Sequence, residues 1–189
     1  MMLTWMLPAT GQTASEKGFA PSSGAMALSG QEFHCHTGYT LAQCQQDILQ
    51  LKNMLIRYRV EGLGPWTWVL VRSEDWRPIT QSLRLNPDSP AFTALEQRET
   101  FLEEALFMHD PLRMAELMKE WQLPMSKLLD LAVTHELGHA LCDEQNEAVA
   151  DRFGEDLRRG QHPNCHASQI AKKKVEAGQS TRVSGSAGR

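Results

Sequence analysis

One five-residue stretch, His135-Glu136-Leu137-Gly138-His139, constrains this chain more than any other feature. It lies in a mostly apolar segment with helical periodicity, where two histidines four positions apart project from the same face. Both imidazoles can then bind one metal ion, usually Zn²⁺, with Glu136 beside that ion. The pattern predicts a helix that packs into a core on one side and carries a zinc site on another.

The phase of this helix, expected from Ser126 to about Cys142, separates the two sides. His135 and His139 fall nearly opposite the apolar stripe, and Glu136 falls between the two sectors. Gly138 and Ala140 are small enough to allow another element to approach closely. The apolar stripe comprises Leu129, Val133, Leu137, Ala140 and Leu141.

A catalytic zinc site usually has three protein ligands, so a third is expected near the motif. A second helix is predicted from about Asn146 to Arg159, with Glu147 in its first turn and Asp151 one turn further on the same face. If this helix folds back, Glu147 can reach the zinc and Asp151 can hydrogen-bond a ligating histidine. Alternatively, Glu147 only complements the helix dipole. The other ligand candidates are Cys142, Asp143, Glu144, His162 and His166.

The segment His135-Glu-x-x-His139, followed by Asn146-Glu-Ala-Val-Ala-Asp151, resembles the zincin metallopeptidases of the gluzincin type. The second motif of that family is Asn-Glu-x-x-x-Asp on a following helix, and the resemblance covers residues 128–157. It implies that His135, His139 and Glu147 bind Zn²⁺ and that Asp151 is an outer hydrogen-bond partner. Glu136 would be the general base for a zinc-activated water. Only seven residues separate His139 from Glu147, fewer than is usual in that family.

The resemblance also implies an α+β fold, in which a small twisted antiparallel or mixed sheet packs on the motif helix and on the following glutamate-bearing helix. An edge strand would line the cleft. Strands are predicted at 66–72, 91–95 and 100–107, although the last could equally be helical. Helices are predicted at 40–59, capped by Thr40, and at 111–122. Residues 73–90, which contain three prolines, are predicted to be a loop with at most a short strand.

The chain is divided into three parts. Residues 1–31 are interpreted as a leader and linker, either unstructured or the remnant of a signal peptide, and 32–166 as the zincin-like domain. Residues 167–189 read as a disordered basic tail. The four cysteines are predicted to pair as Cys35–Cys44 and Cys142–Cys165 in an exported protein, periplasmic or secreted. Four reduced thiols in a cytosolic protein are the alternative.

The charge distribution argues against nucleic acid as a partner of the folded body. The tail carries a net charge of +4, which leaves −8 on residues 1–166, so the body offers no electrostatic footprint for nucleic acid. No apolar run is long enough to span a membrane. The predicted partner is a peptide or protein substrate. An oxyanion-stabilising donor is expected, with Tyr39, Arg152, His162 and His166 as candidates.

The predicted function is a zinc-dependent metallopeptidase. One alternative is a zincin-like zinc-binding regulatory or interaction protein with little or no proteolytic activity. Another is a domain stabilised by structural zinc or by disulfides, in which the motif is accidental. No Cys-x-x-Cys motif supports a redox function.

Overall fold

A computed structural model describes residues 28–165 of the chain. These residues form an α+β fold with a small mixed sheet and five α-helices, so the predicted fold class is confirmed at that level. The predicted leader, except its last residues, and the predicted basic tail lie outside the described residues. The strands are β1 (Gln31–Cys35), β2 (Trp66–Val71), β3 (Ala91–Ala94) and β4 (Glu99–Glu103). The helices are α1 (Leu41–Arg57), α2 (Ser73–Ser82), α3 (Pro111–Trp121), α4 (Met125–Cys142) and α5 (Glu147–Arg158).

The sheet has the strand order β1-β2-β4-β3. Strand β2 is parallel to both β1 and β4, whereas β3 is antiparallel to β4. Alternation along β2 buries Trp66, Trp68 and Leu70 against the helices. Because β1 and β3 are the two outer strands, β3 has one hydrogen-bonding edge free of the sheet, and this edge strand contacts α4.

Helix α1 begins where the sequence predicts. The Thr40 hydroxyl accepts a hydrogen bond from the Gln43 N–H at 3.2 Å, and the Gln43 side-chain oxygen accepts one from the Thr40 N–H at 3.4 Å. The two bonds form a capping box. The helix ends at Arg57, close to the predicted boundary. Predicted helices α3, α4 and α5 also agree with the structure to within a residue or two at each end.

The loop predicted for residues 73–90 is wrong in its first half, where helix α2 is found. Its Pro78 lies inside the helix and removes one backbone donor. Fully buried Trp76 anchors the helix, and its indole N–H donates to the Ser89 carbonyl at 2.8 Å. Glu74 and Asp75 complement the helix dipole in the first turn. Burial of the tryptophan therefore outweighs the proline that suggested a loop.

Two further boundaries differ from the predictions. Strand β1 was not predicted, and Gln31 belongs to it rather than to the linker; its pairing partner, β2, lies more than thirty residues further along the chain. The segment 100–107 divides, since β4 ends at Glu103 and a 3₁₀ turn covers Glu104–Phe107. Both interpretations of that segment, strand and helix, were therefore partly correct.

Both predicted disulfides are present. Cys35 at the end of β1 is bonded to Cys44 in α1, and Cys142 at the end of α4 is bonded to Cys165. Disulfides persist in oxidising compartments, so the pair indicates an oxidising, exported environment. Within residues 28–165, no helix has the combined length and apolar content that a membrane span requires.

Candidate metal centre

Helix α4 has the two sides that its sequence predicts. Leu129, Val133 and Leu137 are buried in the core. The His135 side chain, on another side, is 21% exposed and that of His139 is 9% exposed. Both face a cleft rather than the core. The histidines are therefore accessible from solvent while the helix that carries them is held by packing.

Three side-chain atoms converge at this position. The Nε2 atoms of His135 and His139 are 3.1 Å apart, and Glu147 Oε2 lies 3.0 Å from the first and 3.4 Å from the second. Zinc bonds of about 2.0–2.1 Å in a tetrahedral arrangement place ligand atoms about 3.3 Å apart. The three separations fit such a site and leave a fourth position open. Among the described residues, these three form the one group of at least three His, Cys, Asp or Glu side chains whose ligand atoms converge.

The hydrogen-bond partners of the two Nδ1 atoms determine which nitrogen of each histidine ring carries the proton. His135 Nδ1 is 2.8 Å from Asp151 Oδ1, and His139 Nδ1 is 2.5 Å from the backbone carbonyl oxygen of Glu144. Both partners are acceptors, so we assign the ring proton of each neutral histidine to Nδ1. The two Nε2 atoms then direct lone pairs toward each other and toward the Glu147 carboxylate. Three lone pairs at this separation repel one another unless a positive charge lies between them.

A tight turn and close helix packing bring Glu147 to the histidines. Asp143 adopts a left-handed conformation, with φ 49°, that ends α4, and the Asn146 side chain accepts the Val149 N–H at the start of α5. The helices then pack backbone to backbone. A Cβ on Gly138 would overlap the Ala150 carbonyl, and one on Gly154 would lie 2.9 Å from the Thr134 carbonyl oxygen. The short spacing from His139 to Glu147 is thus sufficient, because two glycines allow the helices to approach.

Glu136 lies beside this group but does not join it. Glu136 is 3% exposed and lines the cleft, and its Oε2 atom has no hydrogen-bond partner. Burial raises the pKa of the Glu136 carboxyl, whereas His135, His139 and a hydrogen bond with Thr93 on β3 oppose the increase. A buried carboxyl with one free oxygen that faces a cleft is available to accept a proton.

The cleft has a volume of about 620 Å³ and runs between α4 and the edge strand β3. Its walls are largely apolar and include Phe92, Trp121 and Leu128. The loop before β3, which lines the same cleft, is held by Arg113, whose guanidinium donates to the Pro87 carbonyl at 3.1 Å. Arg113 itself is paired with buried Glu103 at 2.9 Å. A cleft of this volume with apolar walls has the properties of a ligand-binding site.

The structure places several other candidates away from the centre. Cys142 is in a disulfide, so it cannot be a thiolate ligand. Neither Asp143 nor Glu144 lines the cleft, and Glu144 contributes its backbone carbonyl instead. Of the oxyanion candidates, Tyr39, Arg152 and His162 do not line the cleft, and His166 lies outside the described residues.

Three contributions were missed from the sequence. The Glu144 carbonyl orients His139, Thr93 bonds Glu136, and Gly154 provides half of the close helix contact. Gly154 could have been found, because it lies in an apolar stripe of α5 where a larger residue is expected. The other two depend on tertiary placement, which no local pattern reveals.

Comparisons of the chain with protein-family models, with curated proteins and with solved structures find no match. The residues and the geometry of the centre itself are therefore what indicate its function.

Proposed function

We propose that this chain is a zinc-dependent metallopeptidase of the zincin type, similar to the gluzincins, that hydrolyses peptide bonds. One observation supports it most strongly: Nε2 of His135, Nε2 of His139 and Oε2 of Glu147 converge within 3.4 Å, with both ring protons on the opposite nitrogens. Such a donor set suits zinc, which prefers imidazole and carboxylate ligands.

The residues of the centre would have distinct tasks. His135, His139 and Glu147 would hold the zinc, while Asp151 and the Glu144 carbonyl keep the two imidazoles in the ligating tautomer. When bound, zinc acts as a Lewis acid, which makes water more acidic and polarises a carbonyl group. His135, His139 and Glu147 all line the cleft, so that substrate and water would reach a zinc ion held by them.

Glu136 is proposed as the general base. Its unpartnered oxygen accepts a proton from the attacking water, and the carboxyl then donates that proton to the amine that leaves. The raised pKa that burial gives this carboxyl favours the first transfer, since the group takes up a proton more readily than an exposed glutamate.

Strand β3 is proposed to hold the substrate. Its outer edge has no partner strand in the described sheet, it contacts α4, and Phe92 and Thr93 line the cleft. An extended peptide that adds to this edge would pair with the backbone of β3 and pass along α4 beside Glu136. Main-chain pairing would bind many sequences, while the apolar walls would select among side chains.

The substitution Glu136→Gln tests this proposal. It preserves the shape of the side chain and removes its basicity, so the variant should bind one zinc per chain and lose hydrolysis of peptides. A mixed peptide library, incubated with wild type and variant and analysed by mass spectrometry, reveals cleavage of whichever sequences the cleft prefers. Purified wild-type protein that takes up no stoichiometric zinc would refute the proposal.

A zinc-binding regulatory or interaction protein is the second candidate. It is favoured by the fact that none of the described oxyanion candidates, Tyr39, Arg152 and His162, lines the cleft. Such a protein would bind zinc with the same residues and leave the peptide library intact. Zinc content combined with library digestion therefore distinguishes the two functions.

A further inference from the structure

A second group of polar residues, with side-chain atoms buried from solvent, lies where the chain leaves the three parallel strands. Tyr39 follows β1, Ser73 follows β2 and Glu104 follows β4, and Asp47 comes from the middle of α1. In open sheets with parallel strands, the carboxyl ends of the strands are the usual place for ligands. None of these four residues lines the cleft at the candidate metal centre.

Polar atoms in this group lack partners. Across the described residues, the buried side-chain atoms without a hydrogen-bond partner belong to Tyr39, Asp47, Ser73 and Glu136. Three of these four residues are therefore members of the second group. Buried polar atoms are almost always satisfied, so three orphans at one place indicate an occupant that the protein atoms do not supply.

Contacts connect the ends of the three strands: Arg72, next to Ser73, donates to the carbonyl of Gly38, next to Tyr39, at 3.3 Å, and its Nε lies 3.7 Å from Glu104 Oε1. The Ser73 N–H donates to Glu104 Oε1 at 3.0 Å. The charges of Asp47 and Glu104 both contribute to raising the pKa of Tyr39, and that of Glu104 contributes to raising the pKa of Asp47. Burial is the largest cause of both shifts. The carboxylates and hydroxyls thus share one buried region, yet their orphan atoms lie beyond hydrogen-bonding distance of one another.

The neighbouring basic groups leave one oxygen of Asp47 unpaired at this place. His109 Nε2 is 2.8 Å from Asp47 Oδ1, which leaves Asp47 Oδ2 without a partner. Arg72 Nε is 3.7 Å from Glu104 Oε1, but the guanidinium is also bound to the exposed Glu74 at 2.8 Å. Asp47 is only 1% exposed, and a carboxylate buried to this degree requires a compensating charge.

We propose that the side-chain oxygens of Tyr39, Asp47, Ser73 and Glu104 bind a divalent cation of the calcium class. Carboxylate and hydroxyl oxygens suit a hard cation, and the nearby imidazole of His109 is already engaged with Asp47. The ion would satisfy the orphan oxygens and link α1 to the residues that follow β1, β2 and β4. Its role is structural, and it is independent of the zinc centre.

The full-length protein, with its zinc centre saturated, tests the proposal. Thermal unfolding is measured in the presence of calcium and in the presence of a calcium chelator too weak to remove zinc. Binding of Tb³⁺ is measured separately by its luminescence, excited through Tyr39 and the tryptophans. Calcium should raise Tm, and one Tb³⁺ per chain should bind and be displaced by calcium. Asp47→Asn should weaken binding by about tenfold or more, since it removes a ligand charge.

Two further variants keep the test decisive if Asp47→Asn folds poorly. Tyr39→Phe removes only the hydroxyl and should weaken calcium binding, whereas Glu155→Gln, an exposed position on α5 outside both groups, should leave it unchanged. A wild-type Tm that does not respond to calcium overturns the proposal and leaves water as the occupant. Binding that Tyr39→Phe leaves intact, or that Glu155→Gln abolishes, overturns it as well.

Discussion

Gly138 on α4 lies against the backbone of Ala150 on α5, so that a Cβ at position 138 would lie 3.1 Å from the Ala150 Cα and closer still to its carbonyl oxygen. The candidate third ligand, Glu147, is one turn before Ala150 on the same helix. The distance between the two helices therefore sets the distance between Glu147 and the histidines. Small side chains at this crossing are therefore required for the geometry of the candidate metal centre and not only for the core.

Gly138→Ala is expected to separate the two helices. Overpacking of this kind destabilises a protein by about 1–3 kcal/mol, more than the roughly 1 kcal/mol that alanine gains over glycine in a helix. Zinc affinity should fall together with stability, because Glu147 moves away. Chemical denaturation and zinc titration measure the two effects. Gly62→Ala is the control, since its Cβ would meet no atom within 4 Å; equal effects of both variants would contradict this interpretation.

The two carboxylates on α5 should contribute unequally to zinc binding. Glu147→Ala removes a ligand and should weaken zinc binding more than Asp151→Asn, which removes only the partner of His135 Nδ1. Loss of such an outer partner typically costs about 10–100-fold in metal affinity. Competition with a chromogenic chelator measures the dissociation constants. Glu155→Gln on the same helix controls for the change in charge and should bind zinc as wild type does; unchanged affinity in Glu147→Ala would move the third ligand elsewhere.

The two disulfides should differ in their effect on the metal centre. Cys142–Cys165 closes a loop of 23 positions that contains all of α5, whereas Cys35–Cys44 closes one of 9 positions far from the centre. From chain entropy, removal of either disulfide should lower the free energy of unfolding by about 3 kcal/mol, slightly more for the longer loop. Paired Cys→Ser variants, followed by denaturation and zinc titration, separate stability from binding. Only the loss of Cys142–Cys165 should weaken zinc binding; a comparable loss in the other variant would contradict this expectation.

The two tyrosines of the chain should resist ionisation. Burial, then the hydrogen bond to Asp130 and its charge, raise the pKa of Tyr58 from 10.0 to about 12, and burial also raises the pKa of Tyr39. A raised pKa stabilises the fold fully below pH 10, and this contribution is lost as the pH rises toward about 12. In calcium-free buffer, phenolate absorbance should therefore be nearly absent at pH 10, where a free tyrosine is half ionised.

The variant Tyr58→Phe checks the assignment of this alkaline dependence. It removes the hydroxyl that donates to Asp130, so it should be less stable near neutral pH and should lose less stability between pH 10 and 12 than wild type. Denaturation at several pH values provides the comparison. A wild-type protein whose tyrosines titrate with a midpoint at pH 10 would contradict the burial that the structure shows.

Local patterns were sufficient for much of the fold. Periodicity located α1, α3, α4 and α5, and Thr40 and Asn146 marked two helix starts because their side chains cap backbone N–H groups. The disulfide pairing also followed from the sequence, since each pair brackets neighbouring elements. These features depend on residues that are close in the chain, which is why a sequence pattern can reveal them.

Long-range contacts account for what the sequence did not show. Strand β1 becomes a strand through parallel pairing with β2, and α2 forms despite Pro78 because Trp76 enters the core. At the candidate centre, the sequence predicted the histidines, Glu136, Glu147 and Asp151, and the structure brings these side chains together. The interaction of Thr93 with Glu136 depends on where β3 contacts α4, and no spacing within the sequence predicts that contact.

The candidate ligands are close in sequence as well as in space: His135 and His139 are 4 positions apart, and Glu147 follows His135 by 12. The entropy lost in closing so short a segment is small. Zinc could therefore bind as soon as the helical hairpin of α4 and α5 forms, before strands that are distant in sequence have paired. In an oxidising compartment, metal capture would then precede the slow steps of folding and guide them, rather than await a finished protein.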